Sequence, residues 1–154
     1  MPSRRNQIEM SAEEVRDFLG EKMVMQCATV GQRGVPHMVP LWFVGDAGEL
    51  RGWTYAKSQK ARNLERDPRA TLGLEEGVQY HELRGVMFEC DVELEREPAQ
   101  VERFGLELFD RYAPTGLTDE IRGMVAKQAQ KRVGLTFVPT RRVSWNHRKL
   151  HGAY

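Results

Sequence analysis

The chain has 154 residues, which suits one domain with a proper core. Lysine and arginine number 23 against 22 acidic residues, a formal charge of +1, which gives no support for a chain-wide nucleic-acid or membrane surface but leaves room for a local basic site. The two cysteines, Cys27 and Cys90, have no CxxC spacing and no Cys/His cluster beside them; this argues against zinc or any other metal site and for reduced, buried thiols.

Residues 1–10 are polar and are expected to form a flexible segment ahead of a single domain over residues 11–154. No apolar core of signal-peptide length follows the first residues, and no apolar run is long enough to span a bilayer, so a cytoplasmic protein is expected. Ser11-Ala12-Glu13-Glu14 is a capping box. It opens a short amphipathic helix with Val15, Phe18 and Leu19 on one face and Gly20 as its stop. Strand-like runs then cover 23–30, 35–44 and 49–55, separated by the Gly-containing turns 31–34 and 45–48. Such short loops predict hairpins and hence an antiparallel meander of the first three strands. Pro36 and Pro40 require the second strand to be an edge or to bulge.

A helix from Ser58 stops before Pro68, and 70–74 predicts a fourth strand. In 83–94, Val86, Phe88, Cys90, Val92 and Leu94 alternate with Met87, Glu89, Asp91 and Glu93, which predicts a long strand with an acidic outer face. Pro98 starts a helix with Val101, Phe104, Leu108 and Tyr112 on one side, and Thr118 caps another. A strand over 133–138 and a second extended segment through Trp145 follow. Hairpins dominate and no βαβ alternation appears. The fold class is therefore mainly β (α+β): an antiparallel barrel with peripheral helices.

The stretch from Thr54 to Arg69 carries the most chemistry. Ser58 is a good cap, and the free amides of a helix start carry the positive end of its dipole. With Lys57 and Lys60 beside it, this turn is suited to hold a phosphate, although many lysine-rich helix starts are only solvated surface.

Three motifs carry a family resemblance: Pro36-His37-Met38-Val39-Pro40-Leu41-Trp42-Phe43, the stretch Thr54 to Arg69, and Ser144-Trp145-Asn146-His147-Arg148-Lys149-Leu150. With the element order, they resemble the split β-barrels of the pyridoxamine 5'-phosphate oxidase-like FMN-binding superfamily, and look most similar to its actinobacterial branch that uses the deazaflavin coenzyme F420. The resemblance implies a homodimer with two cofactor sites at the subunit interface. It implies that Lys57, Ser58 and Lys60 hold the cofactor phosphate and that Thr54 and Ala56 lie against the ribityl chain. Met38, Val39, Pro40 and Leu41 would present backbone to the ring edge. Asn63 would touch the cofactor or brace the loop. Trp145 would pack near the partner's site or serve as an interface aromatic.

The expected function is an F420-binding oxidoreductase that transfers a hydride between the cofactor and an unsaturated small molecule. The alternatives are an FMN-dependent oxidoreductase of the same fold and a non-enzymatic flavin or deazaflavin carrier or sensor. The extra C-terminal substrate residues of the vitamin oxidases find no match, so pyridoxamine phosphate is not the expected substrate. No Ser/His/Asp or Cys/His arrangement implies covalent catalysis. His37, His147 and His151 are read as structural before substrate-binding, and His81 as surface. Heme binding on the same barrel would need His37 or His147 as axial ligand. No nucleic-acid or membrane partner is expected.

Overall fold

The structure, a computed structural model, describes residues 3–153; residues 1, 2 and 154, the outer ends of the two segments expected above, lie outside the described residues. Arg4–Ile8 forms a short helix, α1, capped where the Ser3 hydroxyl accepts the Asn6 amide at 3.3 Å. Long-range bonds tie the end of this segment down. Met10 N–H donates to Ser144 Oγ at 3.0 Å, and Lys149 Nζ donates to the Glu9 carbonyl at 2.8 Å. Helix α2 (Ala12–Glu21) has the predicted reciprocal capping box and buries Val15, Phe18 and Leu19, but runs through Gly20.

Seven strands follow: β1 (Met25–Val30), β2 (Pro36–Leu41), β3 (Val44–Asp46), β4 (Glu49–Tyr55), β5 (Arg69–Glu76), β6 (Arg84–Glu95) and β7 (Arg132–Asn146). Helix α3 (Gln59–Arg66) lies between β4 and β5, and α4 (Pro98–Tyr112) and α5 (Asp119–Ala129) lie between β6 and β7. One antiparallel sheet in the order β2-β1-β5-β6-β7-β4-β3 curls without closing, which makes a split barrel with peripheral helices. Among the described residues, no helix is long and apolar enough to cross a membrane.

The expected meander is corrected. β1 and β2 form a hairpin, but the predicted strand 35–44 breaks at Trp42–Phe43, and its tail, β3, pairs with β4 at the opposite end of the sheet. Curling then brings the two ends back together. A Cβ on Gly52 of β4 would stand 3.0 Å from the Trp42 carbonyl oxygen. The last strand is also longer than expected. β7 is continuous, because Pro139 sits opposite Cys90 at a bulge whose extra residue, Thr140, donates its hydroxyl to the Glu89 carbonyl at 3.1 Å. Pro139 lies just past Phe137, the last β7 residue paired with β4, so no neighbouring strand lacks a donor there.

The register also explains how β2 tolerates two prolines without bulging. Proline cannot donate, so the pairs Val30–Pro36 and Gln26–Pro40 are non-hydrogen-bonded pairs. The amides of His37, Val39 and Leu41 therefore face β1. The Met38 amide and the carbonyls of Pro36, Met38 and Pro40 face the free edge.

The main core fills the barrel, with Phe18, Phe43, Phe88 and Phe137 fully buried around Leu72 and Leu135. Burying each such side chain stabilises the fold by about 1.5–3 kcal/mol. Both cysteines lie here as free, buried thiols, and burial pushes Cys27 up to about 11. A smaller cluster joins α4 and α5 to the outside of β4 through Trp53, Val101, Leu108 and Val125. Gly105 makes that approach possible, since a Cβ there would stand 2.4 Å from the Trp53 ring and 2.7 Å from Val125 Cγ1. Arg111 ties the far end of α4 to the end of α2, donating to the carbonyls of Phe43 at 2.6 Å, Leu19 at 2.9 Å and Lys22 at 2.6 Å.

Gly105→Ala is expected to lower stability by about 1–3 kcal/mol through overpacking against Trp53. Gly123→Ala, in open space on α5, should raise it by roughly 0.5–1 kcal/mol. Urea denaturation of the two variants, with unchanged m-values, checks both signs.

Candidate functional site

The site grows from the start of α3. The turn into it is closed by the Ser58 amide donating to the Tyr55 carbonyl at 3.0 Å. Ser58 Oγ accepts the Ala61 amide at 3.1 Å and the hydroxyl of buried Thr54 at 3.3 Å. Both acceptor sites of that hydroxyl are used, so its own proton is free to donate outward. The amides of Gln59 and Lys60 make no bond within the described residues, as expected for the first turn of a helix. Four predicted residues, Thr54, Ala56, Lys57 and Ser58, thus share one turn, in which the Ala56 amide is spent on the Lys131 carbonyl at 2.9 Å and the donors left over are Lys57 and the Ser58 hydroxyl.

Lys60 supplies the charge. Its side chain is only 6 % exposed, and among the described residues no carboxylate pairs with it or with exposed Lys57. Burial holds its ammonium below the ordinary lysine value, and the nearby Arg132 cation pushes the same way. A buried cation without a carboxylate partner among the described residues, on a helix whose first two amides are free and whose cap has a hydroxyl donor to spare, is compatible with an anion at this helix start. Asn63, fully buried, is satisfied inside the protein. It donates to Thr29 Oγ1 at 3.0 Å and accepts from Gln59 at 2.7 Å and Arg66 at 3.2 Å. Its geometry is that of a brace holding α3 on β1.

Strand β2 runs past this corner and lines two cavities. Toward its start, Pro36 and His37 share about 290 Å3 with Gln59 and Asn63. His37 Nδ1 is buried there with no hydrogen-bond partner. Toward its end, Pro40 and Leu41 share about 360 Å3 with Trp42, Trp53 and Arg132. Of the four predicted β2 residues, Met38 and Pro40 turn unpaired backbone groups to the free edge, while the amides of Val39 and Leu41 are spent on β1.

Trp145 is not part of this corner within one chain. It lies at the far end of β7 from Arg132, donates its indole N–H to Glu75 at 3.0 Å and covers Gly85. His147 meets Tyr80 edge-on at 4.7 Å, and His81 and His151 are exposed. Among the described residues, no group of His, Cys, Asp and Glu could hold a metal ion. Another concavity, about 500 Å3, opens over β1, β5 and β6, where Arg69 and Glu89 are already paired with Asp67 and Arg141. It offers no uncompensated buried charge, so we place the functional site at α3.

Sequence reasoning missed Arg132. It closes a run, Gln130-Lys131-Arg132, that reads as a solvated helix end. The fold instead places its guanidinium over the rings of Tyr55 at 4.0 Å and Trp53 at 4.6 Å, opposite Tyr55 on the neighbouring strand. Only the β4–β7 register reveals this.

Comparisons with known proteins agree with the fold. The family model for pyridoxamine 5'-phosphate oxidase matches residues 11–146. A conserved hypothetical protein of solved structure from Mycobacterium tuberculosis is similar at 42% identity and a TM-score of 0.88, over 97% of this chain and 93% of that one. A solved F420 reductase is similar at 26% identity and a TM-score of 0.65, over 82% of this chain and 94% of that one. A heme storage protein from Vibrio cholerae is similar at 22% identity and a TM-score of 0.68, over 88% of this chain and 94% of that one, and shows the fold alone. No match was found among curated proteins.

Because the native state binds the Lys60 proton less tightly than the unfolded chain does, this group's penalty is full below its lowered native value. It fades as pH rises toward the ordinary lysine value of 10.5. Lys60→Met is therefore expected to stabilise the ligand-free protein, with the gap over wild type shrinking as pH rises. Paired denaturation curves across that range check it.

Proposed function

Because the chain belongs to the pyridoxamine 5'-phosphate oxidase family, we propose that it is an oxidoreductase that binds coenzyme F420 and passes a hydride between it and an unsaturated small molecule. The observation that carries this reading is Lys60, a buried ammonium with no carboxylate partner among the described residues, on a helix whose first amides are free. The similarity to an F420 reductase favours the deazaflavin over FMN. FMN, with the same phosphate and ribityl portions, is the second choice.

When bound, the cofactor ring supplies the hydride, and the protein supplies grip and orientation. Lys57, Lys60, the Ser58 hydroxyl and the amides of Gln59 and Lys60 hold the phosphate. Thr54 fixes the Ser58 hydroxyl and, with Ala56, flanks the chain that leads away from it. The Met38 amide and the carbonyls along β2 are the groups free to bond a ring edge. We further propose a homodimer. Met38, 65% exposed on the edge strand β2, leaves a bound ring without a second wall that a second copy would provide. Trp145 then belongs to that interface. A carrier without turnover uses the same phosphate corner.

Titrating the purified protein with F420 and with FMN, followed by fluorescence, tests the reading; F420 should bind more tightly. Charge-assisted hydrogen bonds are worth about 1.5–3 kcal/mol, so Lys57→Ala or Lys60→Ala should weaken binding by roughly ten- to a hundredfold without unfolding the chain. Unchanged affinity in both variants refutes the phosphate assignment. Sedimentation should report a dimer, and a monomer that binds cofactor would contradict the interface. Consumption of reduced F420 across a panel of conjugated substrates separates the enzyme from the carrier.

A further inference from the structure

On the outer side of β4 the fold builds a cavity that the cofactor assignment leaves unused. It measures about 360 Å3, has walls of Trp42, Trp53 and Phe109, and holds Arg132 as the one charged group among its lining residues. Each wall is held from behind. Trp42 stacks on Tyr112 at 4.4 Å and 11°. Trp53 rests flush on Gly105. Arg132 is fixed by the two rings beneath it and by its Nε donating to Gln128 Oε1 at 3.3 Å, and no carboxylate among the described residues pairs with it.

We propose that this cavity is the substrate site and that it selects a planar, conjugated molecule carrying a carboxylate, with the ring system against the exposed Trp42 and the carboxylate on Arg132. The proposal rests on the cofactor reading above for its place in turnover. Pro40 and Leu41 line the cavity and belong to the strand assigned to the cofactor ring, so an occupant lies next to that ring. Flat aromatic walls favour a flat apolar occupant. The planar guanidinium fork matches a carboxylate in two parallel bonds, and its clamped position means little freedom is lost on pairing. A dianionic phosphate is better served by the two lysines at α3, so the two sites sort ligands by charge. A neutral analogue leaves the guanidinium unpaired, which is the source of the discrimination.

The test uses naphthoate and its neutral isostere naphthamide, titrated by tryptophan fluorescence into the whole protein, with and without saturating F420 or FMN. Naphthoate should bind at least tenfold more tightly than naphthamide, with or without cofactor. Arg132→Gln should bring the two affinities together, and Arg132→Lys should keep part of the preference, which separates lost charge from lost folding. Lys60→Met should weaken the cofactor and spare naphthoate. Equal affinities in wild type, a preference that survives Arg132→Gln, displacement of naphthoate by the cofactor, or no binding at millimolar concentration would each overturn the proposal. A naphthoate preference in a protein that binds neither F420 nor FMN would support the cavity assignment and sink the cofactor reading instead.

Discussion

The cofactor corner depends on keeping one ammonium group, that of Lys60, buried near the start of α3 with no carboxylate among the described residues to balance it. Such a placement is unfavourable on its own. It persists because α3 is anchored on both sides. Asn63 binds Thr29 of β1, Arg66 reaches the Val30 carbonyl at 2.8 Å, and Thr54 of β4 binds the Ser58 cap. These bonds connect the helix to strands near opposite ends of the sheet. The curl that brings those strands together is therefore the same feature that holds the helix start open. The core supplies the energy, and the polar braces supply the direction.

The α3 motif was legible because its signals are local. A serine cap, a following proline and a helical spacing of Ala61 and Leu64 need no knowledge of the rest of the chain. The alternation in 83–94 and the capping box at Ser11 were legible for the same reason. What stayed hidden was long-range. That 49–55 pairs with only the tail of the run before it and takes a strand some eighty residues later as its other neighbour is decided by barrel closure, which leaves no mark in a turn sequence. A five-residue helix such as α1 is too short to declare itself, since its stability comes from packing and long-range bonds near the chain's other end. Arg132 was invisible because its meaning is the pair of rings under it, and one of them faces it only across the β4–β7 ladder.

Glycine and aromatic residues meet repeatedly in this fold. Gly105 receives Trp53, Gly134 receives Phe104, and Gly85 receives Trp145. Each pair sets a flat ring at a depth that no side chain with a Cβ would permit. Trp53 shows why this matters beyond packing. Its back is fixed by α4 and its face carries Arg132, so the position of a surface cation is set by the absence of one methyl group on a helix behind it. Mutations in α4 can therefore reach the cavity without touching anything that lines it.

The alternation of prolines along β2 has a consequence for the behaviour of the protein in a crowded solution. A barrel that does not close leaves a rim on which a stray polypeptide could dock as an eighth strand and start a growing stack. Here that rim carries three acceptors and a single donor, because imino residues occupy both flanking positions. An incoming backbone finds almost no amide to donate to its carbonyls. The opening stays available to a compact molecule and closed to fibril growth.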